Sequence, residues 1–175
     1  MKKIIIFCVI WVWGNWALGQ DFEPYRSAPL AMARFKKGNT YLKITYGQVE
    51  KTGKWVFGYQ IPYRRLWRTG ADEATELTLS DTVRLGENKI PPGTYSLFTI
   101  PDTAEWTLVI NREVGMSGLF TYKPQNDLFR VKLPRQSVPK EFKKLVFKFE
   151  PSEKGADLFL IWDYSAIRIP FIFKP

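Results

Sequence analysis

Trp67, Arg68, Asp72 and Glu73 lie close together in the run Leu66-Trp67-Arg68-Thr69-Gly70-Ala71-Asp72-Glu73-Ala74. This is the densest polar chemistry beside a large ring anywhere in the chain. A guanidinium pairs bidentately with a carboxylate and can lock a loop. Gly70 permits the backbone turn that would bring Asp72 or Glu73 back onto Arg68. The same guanidinium could instead face an anionic or hydroxyl-rich ligand beside the rings of Trp55, Tyr59, Tyr63 and Trp67. Flat apolar faces suit sugar rings, and Arg68, Asp72 and Glu73 would add directional hydrogen bonds. Bracing is the commoner use of such ion pairs, so both readings stand at this stage. These seven residues are the candidate ligand-binding set. No catalytic residue is assigned.

Much chemistry is excluded outright. The chain has no histidine, and its single cysteine is Cys8. Serine and cysteine triads cannot be assembled, and the usual zinc and copper ligand sets are missing. No glycine-rich phosphate loop joins a strand to a helix, because Gly86-Glu87-Asn88-Lys89 has neither the spacing nor the helix. No cofactor and no metal is expected. Carboxylate chemistry survives, with Asp72, Glu73 and Glu76 available. A glycosidase pair works at separations of about 5–9.5 Å, and neighbours in sequence rarely face each other that way.

The N-terminus reads as an export leader. Lys2 and Lys3 precede an apolar run from Ile4 to Trp13, and Ala17-Leu18-Gly19 offers small residues before a cut at Gln20. The run is shorter than the roughly 20 apolar residues of a spanning helix, so the mature chain is expected to carry no membrane span. Cys8 sits inside the run rather than after a small residue at its end, which argues against lipidation. Residues 1–19 are therefore taken as a signal peptide and 20–175 as one domain, periplasmic or extracellular. Losing Lys2 and Lys3 lowers the formal charge from +9 to about +7. Export argues against nucleic acid as the partner of this basicity. A glycan or an anionic envelope ligand suits it better.

The elements that must position the candidate set read as strands. Leu42, Ile44 and Tyr46 alternate with Lys43 and Thr45, and Leu77 and Leu79 alternate with Glu76 and Thr78, the period of a half-buried strand. Ala31–Phe35 fits an edge strand or a short helical turn. Thr82–Leu85 and Ile90 flank a tight link and predict a small hairpin. Thr94–Ile100 is apolar on both faces and therefore central. Glu105–Asn111, Leu128–Leu133, Lys144–Phe149, Asp157–Trp162 and Ala166–Phe173 complete about eight or nine strands at sandwich spacing. Pro170 marks an edge or a bend. Val138–Lys144 is the place where one helical turn fits. Two long loops, Gly47–Pro62 and Arg112–Asp127, carry glycines and aromatics. The fold expected is an all-β antiparallel sandwich with jelly-roll or Greek-key connections.

Several runs also carry a resemblance: Ile61-Pro62-Tyr63, Leu66 to Thr75, Pro92-Gly93-Thr94-Tyr95-Ser96-Leu97-Phe98-Thr99-Ile100-Pro101, and Glu105-Trp106-Thr107. Together they resemble the exported bacterial family known as domain of unknown function 2911, from about Tyr41 to the C-terminus. Family members usually have asparagine at the position of Asp72 and glycine after the tyrosine that matches Tyr63, where this chain has Arg64. They also have a tryptophan near the position of Met116. The resemblance implies an envelope β-domain and brings no activity with it. Three functions follow as expectations. The first is a non-catalytic binding module for glycan or an anionic envelope ligand. The second is a small carboxylate-dependent hydrolase. The third is an assembly partner using the basic strand faces at Lys132, Lys144 and Lys148.

Overall fold

A computed structural model describes residues 26–173. The expected leader, Cys8 included, lies outside the described residues. Alternation is realised as strands throughout: β1 (Leu30–Lys37), β2 (Thr40–Gly47), β3 (Thr75–Leu79), β4 (Val83–Leu85), β5 (Asn88–Ile90), β6 (Gly93–Ile100), β7 (Glu105–Asn111), β8 (Asp127–Ser152) and β9 (Gly155–Phe173). All pairings between these strands are antiparallel, in the order β1-β2-β3-β6-β7-β8-β9-β4-β5. The chain meanders except at the β4–β5 hairpin, which leaves β3 and pairs with the end of β9. The all-β antiparallel fold read from the sequence is the one observed. Ala31–Phe35 lies in an edge strand, not a helical turn.

The predicted strands Leu128–Leu133 and Lys144–Phe149 are parts of one element, β8, and the expected helical turn at Val138–Lys144 does not form. That stretch is extended, with register shifts against β9 between Ser137 and Phe142 and between Phe142 and Val146. β9 turns over at the same level, where Asp163 takes a left-handed φ of 55°. A straight strand of 19 residues would span roughly 60 Å. Instead Phe173 N donates to Lys154 O at 2.9 Å, and Gly155 lies directly against Phe171 O. The β8–β9 hairpin is thus folded over at its middle, and the fold converts one continuous sheet into two facing layers.

Burial drives that folding. Between the layers lie Leu42, Ile44, Leu77, Leu97, Leu108, Ile110, Leu158, Leu160, Ile167, Ile169 and Phe171, all essentially inaccessible to water. A smaller cluster of Ala74, Phe98, Val109 and Met116 forms on the opposite face of β6 and β7. This explains why β6 is apolar on both faces, as its sequence requires.

Candidate functional site

The loop from Gln48 to Ala74 is anchored at both ends. Val49 O accepts from Leu145 N at 2.9 Å, and Lys51 N donates to Lys143 O at 2.8 Å, stitching the loop onto β8 beside its bend. The Gln60 amide clips the loop to itself, donating to Glu50 O and accepting from Thr52 N, both at 2.9 Å. Further along, Trp67 and Thr99 exchange backbone hydrogen bonds at 2.8 and 3.0 Å. Ala71 N reaches Gly47 O at 3.2 Å. Gly47 has no room for a side chain there, because a Cβ would strike Ala71 O.

The seven candidate residues do not converge. Trp67 is only 7 % exposed, so it presents no face to a ligand. Its ring stacks on Trp162 at 5.7 Å and meets Phe57 edge-on, and Phe57 in turn packs against Trp106. The indole N–H donates to Gly70 O at 3.2 Å. An indole this large, with its polar atom already satisfied, gains more by burial than by waiting for a ligand. The platform expected at Trp67 is therefore corrected to a core plug. Tyr63 is half-buried, packed on the same core and seated over Gly58.

Arg68 makes no ion pair among the described residues, so the expected fork to Asp72 or Glu73 is absent. Its Nε is buried without a partner. The two carboxylates brace a different segment. Asp72 accepts from Ser27 N and Ala28 N, each at 3.1 Å, and from Ser27 Oγ at 2.6 Å. Glu73 pairs with Arg26 at 2.6 Å. Burial alone would push the Asp72 carboxyl up, but the Ser27 hydroxyl and the two backbone N–H donors outweigh it and hold the group below its ordinary value, with Arg26 adding to the effect. Bracing occurs, then, with partners that sequence spacing could not supply. Glu76 accepts from Gly115 N at 2.8 Å.

Trp55 and Tyr59 behave otherwise. They are 56 % and 77 % exposed on a loop that is itself pinned. The Lys54 ammonium lies 5.4 Å from the Trp55 ring. Beneath this loop Lys51 Nζ donates to Asp163 Oδ1 and to Glu141 Oε1, both at 2.7 Å, and Val56 N reaches Asp163 Oδ2 at 3.4 Å. Tyr164, the next residue, is 44 % exposed. Sequence reading missed this corner, although a signal was present: the inward positions Leu158, Leu160 and Trp162 change parity to Ile167, Ile169 and Phe171.

A second unforeseen polar group holds the Arg112–Lys123 loop. Tyr122 OH donates to the Asp127 carboxylate at 2.9 Å, Asn111 Nδ2 donates to it at 2.8 Å, and Arg130 Nε at 2.8 Å. Burial, reinforced by the neighbouring Asp127 charge, raises the Tyr122 phenol above its ordinary value. Every charge in the group has a partner, and it positions the loop that covers the Phe98 cluster. The three lysines of the basic strand faces are also engaged: Lys132 with Glu105, Lys144 with Glu50 and Lys148 with Glu150.

A cavity of about 850 Å³ opens at the other end of β2, between the β1–β2 and β8–β9 turns. None of the seven candidates lines it. Lys37, on its wall, is committed to Ser152 O and Glu153 O, both at 3.2 Å. A smaller cleft of about 140 Å³ lies beside Glu73. Among the described residues there is no cluster of three metal-ligating side chains, and no helix is long and apolar enough to cross a membrane.

Residues 28–171 match a family described as "Protein of unknown function (DUF2911)", and the chain belongs to that family. No curated protein and no solved structure is significantly similar to it.

Proposed function

We propose that this member of the family is a non-catalytic binding module whose ligand is a glycan, held on the exposed rings of Trp55 and Tyr59. The observation that carries the reading is that two large aromatics stand out in solvent on a loop fixed by internal hydrogen bonds. Such rings lose little conformational freedom when a sugar stacks on them, so little of the contact energy is spent on ordering. Export to the cell envelope, as the leader suggests, would put the domain among glycans. The ligand face is smaller than the seven-residue set, since Trp67 and Tyr63 serve the core and Asp72 and Glu73 are engaged with residues 26–28.

The hydrolase alternative is less well supported. A general acid or base needs a carboxyl free to exchange its proton with substrate. Asp72 is saturated by three donors, Glu73 is ion-paired and Glu76 is bound to Gly115 N. Pull-down on microcrystalline cellulose, chitin and purified peptidoglycan sacculi tests the binding reading. Retention is expected on at least one polymer, with a loss of about ten-fold or more in Trp55→Ala and Tyr59→Ala. No retention on any of them, or retention that both variants preserve, would remove the proposal.

A further inference from the structure

We infer that Tyr164 is a third ring of this binding face, that Lys51 is the positioning residue joining the two elements that carry it, and that the ligand is an extended saccharide. The inference rests on the glycan reading above and adds a residue, a device and a ligand length to it.

The geometry turns on one hydrogen bond. Val56 N donates to Asp163 Oδ2 at 3.4 Å. Trp55 immediately precedes the donor residue, and Tyr164 immediately follows the acceptor residue. Tyr59 joins the same point, because its N–H donates to Val56 O at 3.4 Å. Three exposed rings from two elements distant in sequence are therefore each tied to Val56 or Asp163.

Lys51 keeps them there. Its side chain is 10 % exposed, and its ammonium bridges Asp163 on β9 and Glu141 on β8 at 2.7 Å each. It also lies 5.9 Å from the centre of the Tyr164 ring, within cation–π reach. Aspartate tolerates the left-handed backbone that Asp163 holds, and the contacts of its carboxylate to Lys51 Nζ and Val56 N enforce the turn there. Lys51 is part of that enforcement, and the result is that Tyr164 points outward where strict alternation would not hold it. A single pyranose covers one ring. Rings contributed by two elements fit a chain of several sugar units, each unit meeting a different ring.

The test uses the polymer that retains the full chain, together with its soluble monosaccharide and hexasaccharide, in calorimetric titration. The hexasaccharide is expected to bind at least about ten-fold more tightly than the monosaccharide. Tyr164→Ala should lower hexasaccharide affinity about five- to ten-fold, and Tyr164→Phe should retain it. Lys51→Met should lose as much as Tyr164→Ala, with Lys51→Arg recovering most of it. Near-UV circular dichroism identifies any variant that has simply lost its fold. Should Lys51→Met do so, the Tyr164 pair and Lys51→Arg decide. If Tyr164→Ala binds like the wild type while Trp55→Ala does not, the third ring is wrong and the glycan reading stands. Equal affinity for monosaccharide and hexasaccharide overturns the extended ligand. If no polymer retains the chain, both fall together.

Discussion

At the scale of single residues, the two tryptophans of the Gln48–Ala74 loop should separate cleanly. Trp67→Ala empties a site between Phe57 and Trp162 and is expected to cost about 3–5 kcal/mol in urea denaturation. Trp55→Ala, at an exposed position, should stay within about 0.5 kcal/mol of wild type while lowering ligand retention about ten-fold or more. The opposite pattern would mean that the exposed ring is the structural one. Asp72 gives a pH-dependent case. Its folded pKa is lowered, so its contribution to stability is fully present above the ordinary aspartate value of about 3.9 and is lost as pH falls through the lower folded value. Asp72→Asn keeps a side chain that tolerates the left-handed φ of 61°. It should flatten the acid limb of the stability–pH curve, measured by thermal melts between about pH 2 and 5, and lower stability near neutrality. An unchanged acid limb would remove Asp72 as its source. The sequence made Asp72 and Glu73 legible as bracing carboxylates, because charged residues around a glycine turn need partners. It could not name those partners, since Arg26 and Ser27 are more than forty positions away.

At the scale of elements, the strands were readable because alternation is local: a half-buried strand shows its pattern in five or six residues. The joining of four predicted strands into β8 and β9 was not readable by that rule. A fold in a hairpin interrupts alternation just as a loop does, so Val138–Lys144 and Asp163–Ser165 looked like breaks in the chain. The folded hairpin makes a specific prediction at Gly155. Its φ is ordinary, so alanine would cost nothing in backbone conformation, but a Cβ would collide with Phe171 O and the backbone there has no flexible end to move. Gly155→Ala should therefore destabilise by more than Gly38→Ala. Gly38 has open space around it and pays only for a left-handed φ of 59°, about 1–2 kcal/mol. Paired urea curves decide the order. If Gly38→Ala is the worse of the two, the two ends of β9 do not meet as described.

At the scale of the whole molecule, the order of strands lay beyond the sequence, because nothing in the β4–β5 hairpin says that its partner is the far end of β9. The general charge was legible, with 26 basic against 17 acidic side chains, but its meaning depends on where the charges pair. Lys51, Lys132, Lys144 and Lys148 all face carboxylates, so those cations are locally offset. Two modes of retention then differ in their response to salt. A field of exposed lysines and arginines acts over a screening length of about 10 Å at 0.1 M salt and about 3 Å at 1 M. Ring stacking is a contact of buried apolar area and does not weaken with ionic strength. Raising sodium chloride from about 0.05 M to about 1 M should release the chain from a sulfated polyanion resin. Retention on the polymer recognised by Trp55 and Tyr59 should persist. If that retention is released by the same salt step, the basic surface is the ligand contact and the exposed rings are bystanders.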